Sequence, residues 1–296
     1  MTGGLVRGLL AAIGAAALYG VAPVAQGIAA RDTPPSSGMG LALTLRLARR
    51  PIWLAGLACE IVAFVLEALA FATAPTTLVA PVLACDMLVF VLVARPAFGE
   101  RMSARGVRGA LAMAAAVGLV TLSFAGSAGL GRSADAIELW AFLAGGLVTT
   151  GVATLLGNRV VRAGHQVLGA AVFSAAAGIT YGLATLATRQ IGRTFTPHDP
   201  WQLLGTPAPY VLVGCSVLGI GMAQRGLQAY PLVAFPLTSA LSAFIPVVVG
   251  AALLGDEVPG GLGRVAFSAA LVLLVVGVTL IGRDRSAAEA AAEPGH

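Results

Sequence analysis

Nine predominantly apolar runs, each close to twenty residues long, follow one another through residues 8–282. At about 1.5 Å of rise per residue, a helix of that length spans the ~30 Å hydrocarbon core of a bilayer. Water is absent there, so every backbone N–H and C=O has to be paired within the chain, and a helix pairs them within one segment. The composition agrees: 58% of the residues are hydrophobic, 10% are charged, and the mean hydropathy is +0.90. No soluble domain of this length needs so much apolar surface. The expected fold class is all-α: a polytopic membrane protein of about nine transmembrane helices, or ten if 36–50 also crosses.

The spans read as about 8–29, 52–73, 76–95, 106–124, 137–157, 166–188, 209–228, 231–254 and 263–282, one membrane domain over 1–282. RDTPPSSG (31–38) is a Pro/Ser/Gly loop. LALTLRLARR (41–50) after it is apolar but too short to cross, so an interfacial or partly inserted helix is expected there. Arg7 ahead of the first run and VAPVAQG at its end also fit a secretory signal peptide, but the internal repeat below argues that the segment is kept. Trp201 reads as an interfacial anchor in the loop after the sixth span. The end of the chain, 283–296, is polar and small and is expected to be a disordered cytoplasmic tail.

Lysine is absent, so all 18 basic residues are arginine, and the formal net charge is +5. With nine spans, Arg7, Arg132, Arg189, Arg193 and Arg264 fall on one side and the other arginines on the opposite side. The positive-inside rule then places the C-terminus in the cytoplasm and the N-terminus outside. Such a balance suits loops facing anionic lipid headgroups, and no nucleic-acid partner is expected. Arg-only, Ala- and Gly-rich usage is that of a high-GC genome and points to a bacterial plasma membrane.

Cys59, Cys85 and Cys215 lie inside apolar runs without CxxC spacing or histidine partners, and they read as small core residues. HExxH, GxSxG and Walker motifs are absent, and GIG (219–221) sits inside an apolar run, not after a strand. Neither an enzyme, nor a cofactor, nor ATP coupling is expected.

The chain also repeats itself. AAALYGVA (15–22) returns as AAGITYGLA (176–184), aligned on Tyr19-Gly20 and Tyr181-Gly182. LVAP (78–81) returns as LVAFP (232–236), and the loop acid Glu100 of GER is echoed by Glu257 of GDE. The first copy covers 8–124 and the second 166–282, with a linking helix at 137–157. An odd number of crossings separates matching helices, so the copies face opposite ways. Two inverted four-helix repeats are the architecture of secondary transporters, whose sites lie near the midplane between repeats. Ala16-xxx-Gly20 and Gly178-xxx-Gly182 provide small residues for close helix crossings. Pro81, Pro236 and Pro246, inside spans, leave carbonyls that kink a helix or line a cavity.

Three carboxylates inside the spans, Glu60, Glu67 and Asp86, carry the functional expectation. A charge in hydrocarbon costs roughly 2.5–3.5 kcal/mol on insertion scales, so such residues are rare unless used. Glu60 and Glu67 lie seven apart, on one helix face about 10 Å apart along the axis. Asp86 falls near the midplane. A file of carboxylates suits Mg²⁺, a proton relay, or a counter-charge for an organic cation. The bland alternative is a protonated acid bonded between helices.

Glu67 and Asp86 are the expected centre of the site and its metal-binding pair, with the seventh and eighth spans facing them. Gln224, Glu60, Arg225 and Gln26 complete the candidate substrate-binding set. Tyr19 and Tyr181 either lend polar atoms to a site or pack at close crossings. Asn158 and His165 are expected to be solvated.

APTTLVAPVLA (74–84), followed at fixed distance by GER, a short basic loop and an Ala-rich span, resembles the drug/metabolite transporter superfamily. Within it the chain is most similar to the NIPA-type magnesium transporters. That similarity rests on Gly-His-Gln (164–166) before a span like the first, and on Gln224 and Leu227 ahead of a Val-x-x-Pro opening of the eighth span. Phe64, Gln26 and Asp86 depart from that subfamily's pattern of a Gly-Glu, a basic residue and a small residue.

The resemblance implies a secondary transporter working by alternating access on Mg²⁺ or another divalent cation, carried as substrate. A proton-coupled carrier or exporter of a small organic metabolite or drug is the second reading. A non-transporting scaffold or accessory subunit is the third. The expected partners are the lipid bilayer and a small cation or small-molecule substrate, and a homodimer is left open.

Overall fold

The long apolar runs form helices where the chain is described, as backbone pairing in hydrocarbon demands; of the run expected at 76–95, the described helix covers Asp86–Phe98. The computed structural model describes residues 2–34, 40–74, 79, 82–83, 85–98, 104–124, 132–194, 200–256 and 260–292. In chain order the helices are α1 (Thr2–Arg31), α2 (Leu41–Leu47), α3 (Pro51–Thr73), α4 (Asp86–Phe98) and α5 (Ala104–Phe124). They continue as α6 (Ala136–Arg162), α7 (Gln166–Thr194), a 3-10 turn (Pro200–Gly205), α8 (Ala208–Ala229), α9 (Pro231–Leu253) and α10 (Gly261–Ala292). No strand occurs among the described residues, and the chain is all-α.

Among the described residues six helices are long and apolar enough to cross a membrane: Leu5–Arg31, Pro51–Ala70, Ala136–Arg162, Gln166–Ile191, Ala208–Ala229 and Pro231–Leu253. Gly261–Gly277 is a shorter apolar helix. Large apolar side chains also point outward, among them Phe64 and Val65 on α3, Val148 and Leu155 on α6, and Leu262 and Val272 on α10. Left in water, such surface would cost about 25 cal/mol per Å², whereas lipid tails cover it without penalty.

Local chemistry sets the ends. Pro51 and Pro231 open α3 and α9, where a missing N–H costs nothing. Asp135 caps α6 through a reciprocal box, accepting from the Glu138 N–H at 2.8 Å while Glu138 accepts from the Asp135 N–H at 3.0 Å. Past Leu253, Arg132 donates to the Leu253 carbonyl at 3.0 Å. Asp256 pairs with both guanidinium nitrogens of Arg189, at 2.5 and 2.6 Å. These arginines tie the end of α9 to α6 and α7.

Packing produces two similar groups. α1 packs on α3 and α4, α7 packs on α8 and α9, and α5 pairs with α10. The small residues of each Tyr-Gly segment allow this. A Cβ on Gly20 would come within 2.6 Å of Val89 Cβ and the Asp86 carbonyl on α4. A Cβ on Gly182 would come within 2.6 Å of Ile245 Cβ on α9, and one on Gly178 within 2.6 Å of Leu241 Cβ. Helix backbones approach closely in both groups, as the sequence pattern implied. α6 lies against α7 and α8.

The described part of the 36–50 segment, from Gly40 on, is not a span. Its helix, α2, has seven residues, about 10 Å of rise, and rests on α8 with Leu43 and Leu47 fully buried. Gly40 opens it in the left-handed region at φ 85°, where a Cβ would lie 2.0 Å from the Gly221 carbonyl oxygen. Thr33 accepts from Gln228 at 2.6 Å, and Arg50 donates to the Asp32 carbonyl at 3.2 Å. The chain thus leaves α1 beside the end of α8, meets α8 again two turns earlier at Gly221, and returns to its starting level. The ten-helix reading therefore loses its extra span.

Other expectations shift as well. Cys215 is buried and Cys59 half-buried, but Cys85 is exposed rather than part of the core. α10 runs to Ala292, past residue 282 where the disordered tail was expected to begin; RDRSAAEAAA is rich in the helix formers Ala, Arg and Glu. Trp201 is exposed on the 3-10 turn, and His165 is exposed. Pro75, Pro81, Glu100 and Glu257 lie outside the described residues.

Gly40→Ala tests the seat of α2. The substitution adds left-handed strain and a backbone overlap, so a destabilisation of about 2 kcal/mol or more is expected in thermal unfolding of the purified protein. Wild-type stability would show that α2 is not fastened to α8 at this point.

Candidate functional site

Proline and small residues loosen the bundle where α1, α3, α7, α8 and α9 meet. Pro23 in α1 deprives the Tyr19 carbonyl of its helical partner, and Pro246 in α9 does the same to Ser242. A cavity of about 150 Å³ lies in this region. Pro23 and Gln26 of α1 and Glu60 of α3 line one side of it. Tyr181 of α7, Ala223 and Leu227 of α8, and Ala234, Phe235, Thr238, Ser239 and Ser242 of α9 line the other. It therefore sits between the two helix groups.

Its polar wall is made of oxygen-bearing groups: one carboxylate, one amide, one phenol and three aliphatic hydroxyls. Gln26 hydrogen-bonds to Glu60 and accepts from Gln224 Nε2 at 2.7 Å. A line of side chains, Glu60–Gln26–Gln224, thus crosses from α3 through α1 to α8. Gln224 is 2% exposed, and its Oε1 is buried with no hydrogen bond among the described residues. One turn on, Gln228 donates to the Ala30 carbonyl at 2.9 Å as well as to Thr33, so amides fasten α8 along the last turns of α1.

The expected pair makes other contacts. Glu67 and Asp86 do not line the cavity. Glu67 accepts from the Tyr19 hydroxyl at 2.7 Å, which ties α3 to α1. Asp86 stands in the first turn of α4, where its Oδ1 accepts from the Met87 N–H at 2.6 Å. There it also complements the positive end of the helix. Tyr19 nevertheless lies within electrostatic reach of Glu60, Glu67 and Asp86, so the three acids form a loose cluster around it. No group of three or more His, Cys, Asp or Glu side chains fit to hold a metal ion occurs among the described residues.

Arg225 is buried but turns from the cavity. Its guanidinium stacks over Phe173, 4.1 Å from the ring centroid, and donates to Asn158 Oδ1. Asn158, expected in solvent, instead helps hold this cation between α6, α7 and α8. Of the six candidates, the structure gathers Glu60, Gln26 and Gln224 at or beside the cavity and leaves Glu67, Asp86 and Arg225 outside it. Thr238, Ser239 and Ser242 were missed as site residues. Their signal was the hydroxyl-rich TSALS stretch between two prolines of a span, spaced to present Phe235, Ser239 and Ser242 on one helix face.

No known protein family, characterised protein or solved structure matches the chain.

Removing either amide of the Gln26–Gln224 pair leaves the other buried without its partner. Gln26→Leu and Gln224→Leu are each expected to destabilise by about 1–3 kcal/mol, and the double variant by clearly less than their sum. Strict additivity in thermal unfolding would show that the two amides do not act as a unit.

Proposed function

We propose that this protein is a secondary transporter of the drug/metabolite transporter kind, carrying a small cation by alternating access. One observation carries the reading: a cavity lined by Glu60 together with Gln26, Tyr181 and the hydroxyl residues Thr238, Ser239 and Ser242 lies between the two helix groups. A membrane scaffold has no use for a carboxylate exposed to a cavity within its spans, given the cost of placing it there.

Magnesium, or another hard divalent cation, is the first substrate. Such ions prefer oxygen ligands, take one or two carboxylates and keep several waters. At roughly 30 Å³ per water, the cavity has room for an ion with part of its shell. Glu67 and Asp86 cluster with Tyr19 and do not line the cavity. A small organic cation exchanged for protons is the second reading, favoured by the Phe235, Leu227 and Pro23 surfaces beside Glu60.

In this reading the chain makes nine spans in two inverted four-helix repeats. The N-terminus lies outside and the C-terminus in the cytoplasm of a bacterial cell. The parallel roles of Gly20 against α4 and of Gly178 and Gly182 against α9 support the repeat, as does the pairing of α5 with α10. In that orientation the cavity reaches from the midplane toward the cytoplasm, and the Arg189–Asp256 pair lies at the outer end.

Transport into proteoliposomes tests the proposal. Mg²⁺ uptake that saturates, and that Glu60→Gln abolishes while Glu67→Gln retains a substantial part, is the expected result. Uptake unaffected by Glu60→Gln in folded protein would remove Glu60 from the site. Uptake of a small amine driven by a pH gradient, with none of Mg²⁺, would favour the second reading.

A further inference from the structure

The repeat supplies two tyrosines, and the structure uses them differently. Tyr19 in α1 gives its hydroxyl to Glu67 at 2.7 Å, so that group serves the contact between α1 and α3. Tyr181, its counterpart in α7, lines the cavity together with Glu60 and lies within electrostatic reach of it. The Tyr181 hydroxyl forms no hydrogen bond among the described residues. Its ring is nevertheless held in place: a Cβ on Gly219 would meet ring carbon Cε1 at 2.7 Å, so glycine there makes the ring's seat on α8. A fixed ring that lines the same cavity as a carboxylate, with its hydroxyl outside the hydrogen bonds of the described residues, is arranged to meet a ligand.

We infer that Tyr181 is a substrate-contacting, specificity-determining residue, whose hydroxyl oxygen meets the cation or one of its waters opposite Glu60. Glu60 supplies charge, and Tyr181 supplies a neutral oxygen at a distance fixed by Gly219. A neutral oxygen adds a ligand without a second charge to desolvate, as a partly hydrated hard cation favours. The duplication would thus have kept one phenol as a brace and freed the other for the ligand. This inference rests on the cavity being the transport site.

The test compares two single-atom deletions, Tyr181→Phe and Tyr19→Phe, with Glu60→Gln, using Mg²⁺ as the probe. Flux into proteoliposomes and thermal unfolding are measured for each. Tyr181→Phe keeps the ring and is expected to raise KM about fivefold, the loss of one hydrogen-bond-strength contact, with unfolding unchanged. Tyr19→Phe is expected to lower the unfolding temperature and leave KM at the wild-type value. If Glu60→Gln abolishes flux while Tyr181→Phe keeps the wild-type KM, the inference is overturned and the transport site stands. Flux untouched by Glu60→Gln overturns both.

Discussion

A carboxylate in hydrocarbon has to find hydrogen bonds or water within the bundle, and this chain carries three of them on two helices. Each is answered differently. Glu67 takes a phenol, Asp86 takes an N–H at the start of its own helix, and Glu60 takes an amide and faces a cavity. The first two solutions use up the acid in holding helices in place. The third leaves an acid beside free volume, and that difference carries the functional argument.

Around Glu60 the bundle is joined unevenly. Gln224 and Gln228 fasten α8 to α1, and α2 adds a second fastening where Gly40 meets Gly221. α3 and α7, which would form the counterpart of the α1–α8 contact in an inverted repeat, instead face each other across the cavity through Glu60 and Tyr181. In the proposed cycle this asymmetry is the working feature: one junction is tight while its counterpart is open, and alternating access exchanges them. The chemistry is correspondingly lopsided, with a carboxylate and an amide from the first group and hydroxyls from the second.

Much of the architecture was legible because hydrocarbon leaves few options. Apolar run length located the six helices long and apolar enough to cross a membrane, and Tyr19-Gly20 with Tyr181-Gly182 marked the close crossings. The location of the site was less legible. Sequence ranks buried acids by depth in a span, and on depth Glu67 and Asp86 lead. In the proposed reading partnership matters more, and partnership is tertiary: Tyr19 reaches Glu67 from another helix, and Asp86 stands in the first turn of its helix. The contact of Arg225 with Asn158 and Phe173 was not legible for the same reason, since nothing local reveals that these residues meet. The hydroxyls of α9 were visible as composition but not as a wall, because Gly178 and Gly182 first have to bring α9 against α7.

Chemical protection of Glu60 probes the central claim without relying on flux. A hydrophobic carbodiimide modifies carboxyls within membranes, and peptide mass spectrometry reports which ones. If Glu60 holds the cation, Mg²⁺ at saturating concentration slows modification of Glu60 several-fold and leaves Glu67, engaged by Tyr19, unchanged. Modification of Glu60 at the same rate with and without Mg²⁺, or protection of Glu67 in its place, would contradict the assignment of this cavity as the substrate site.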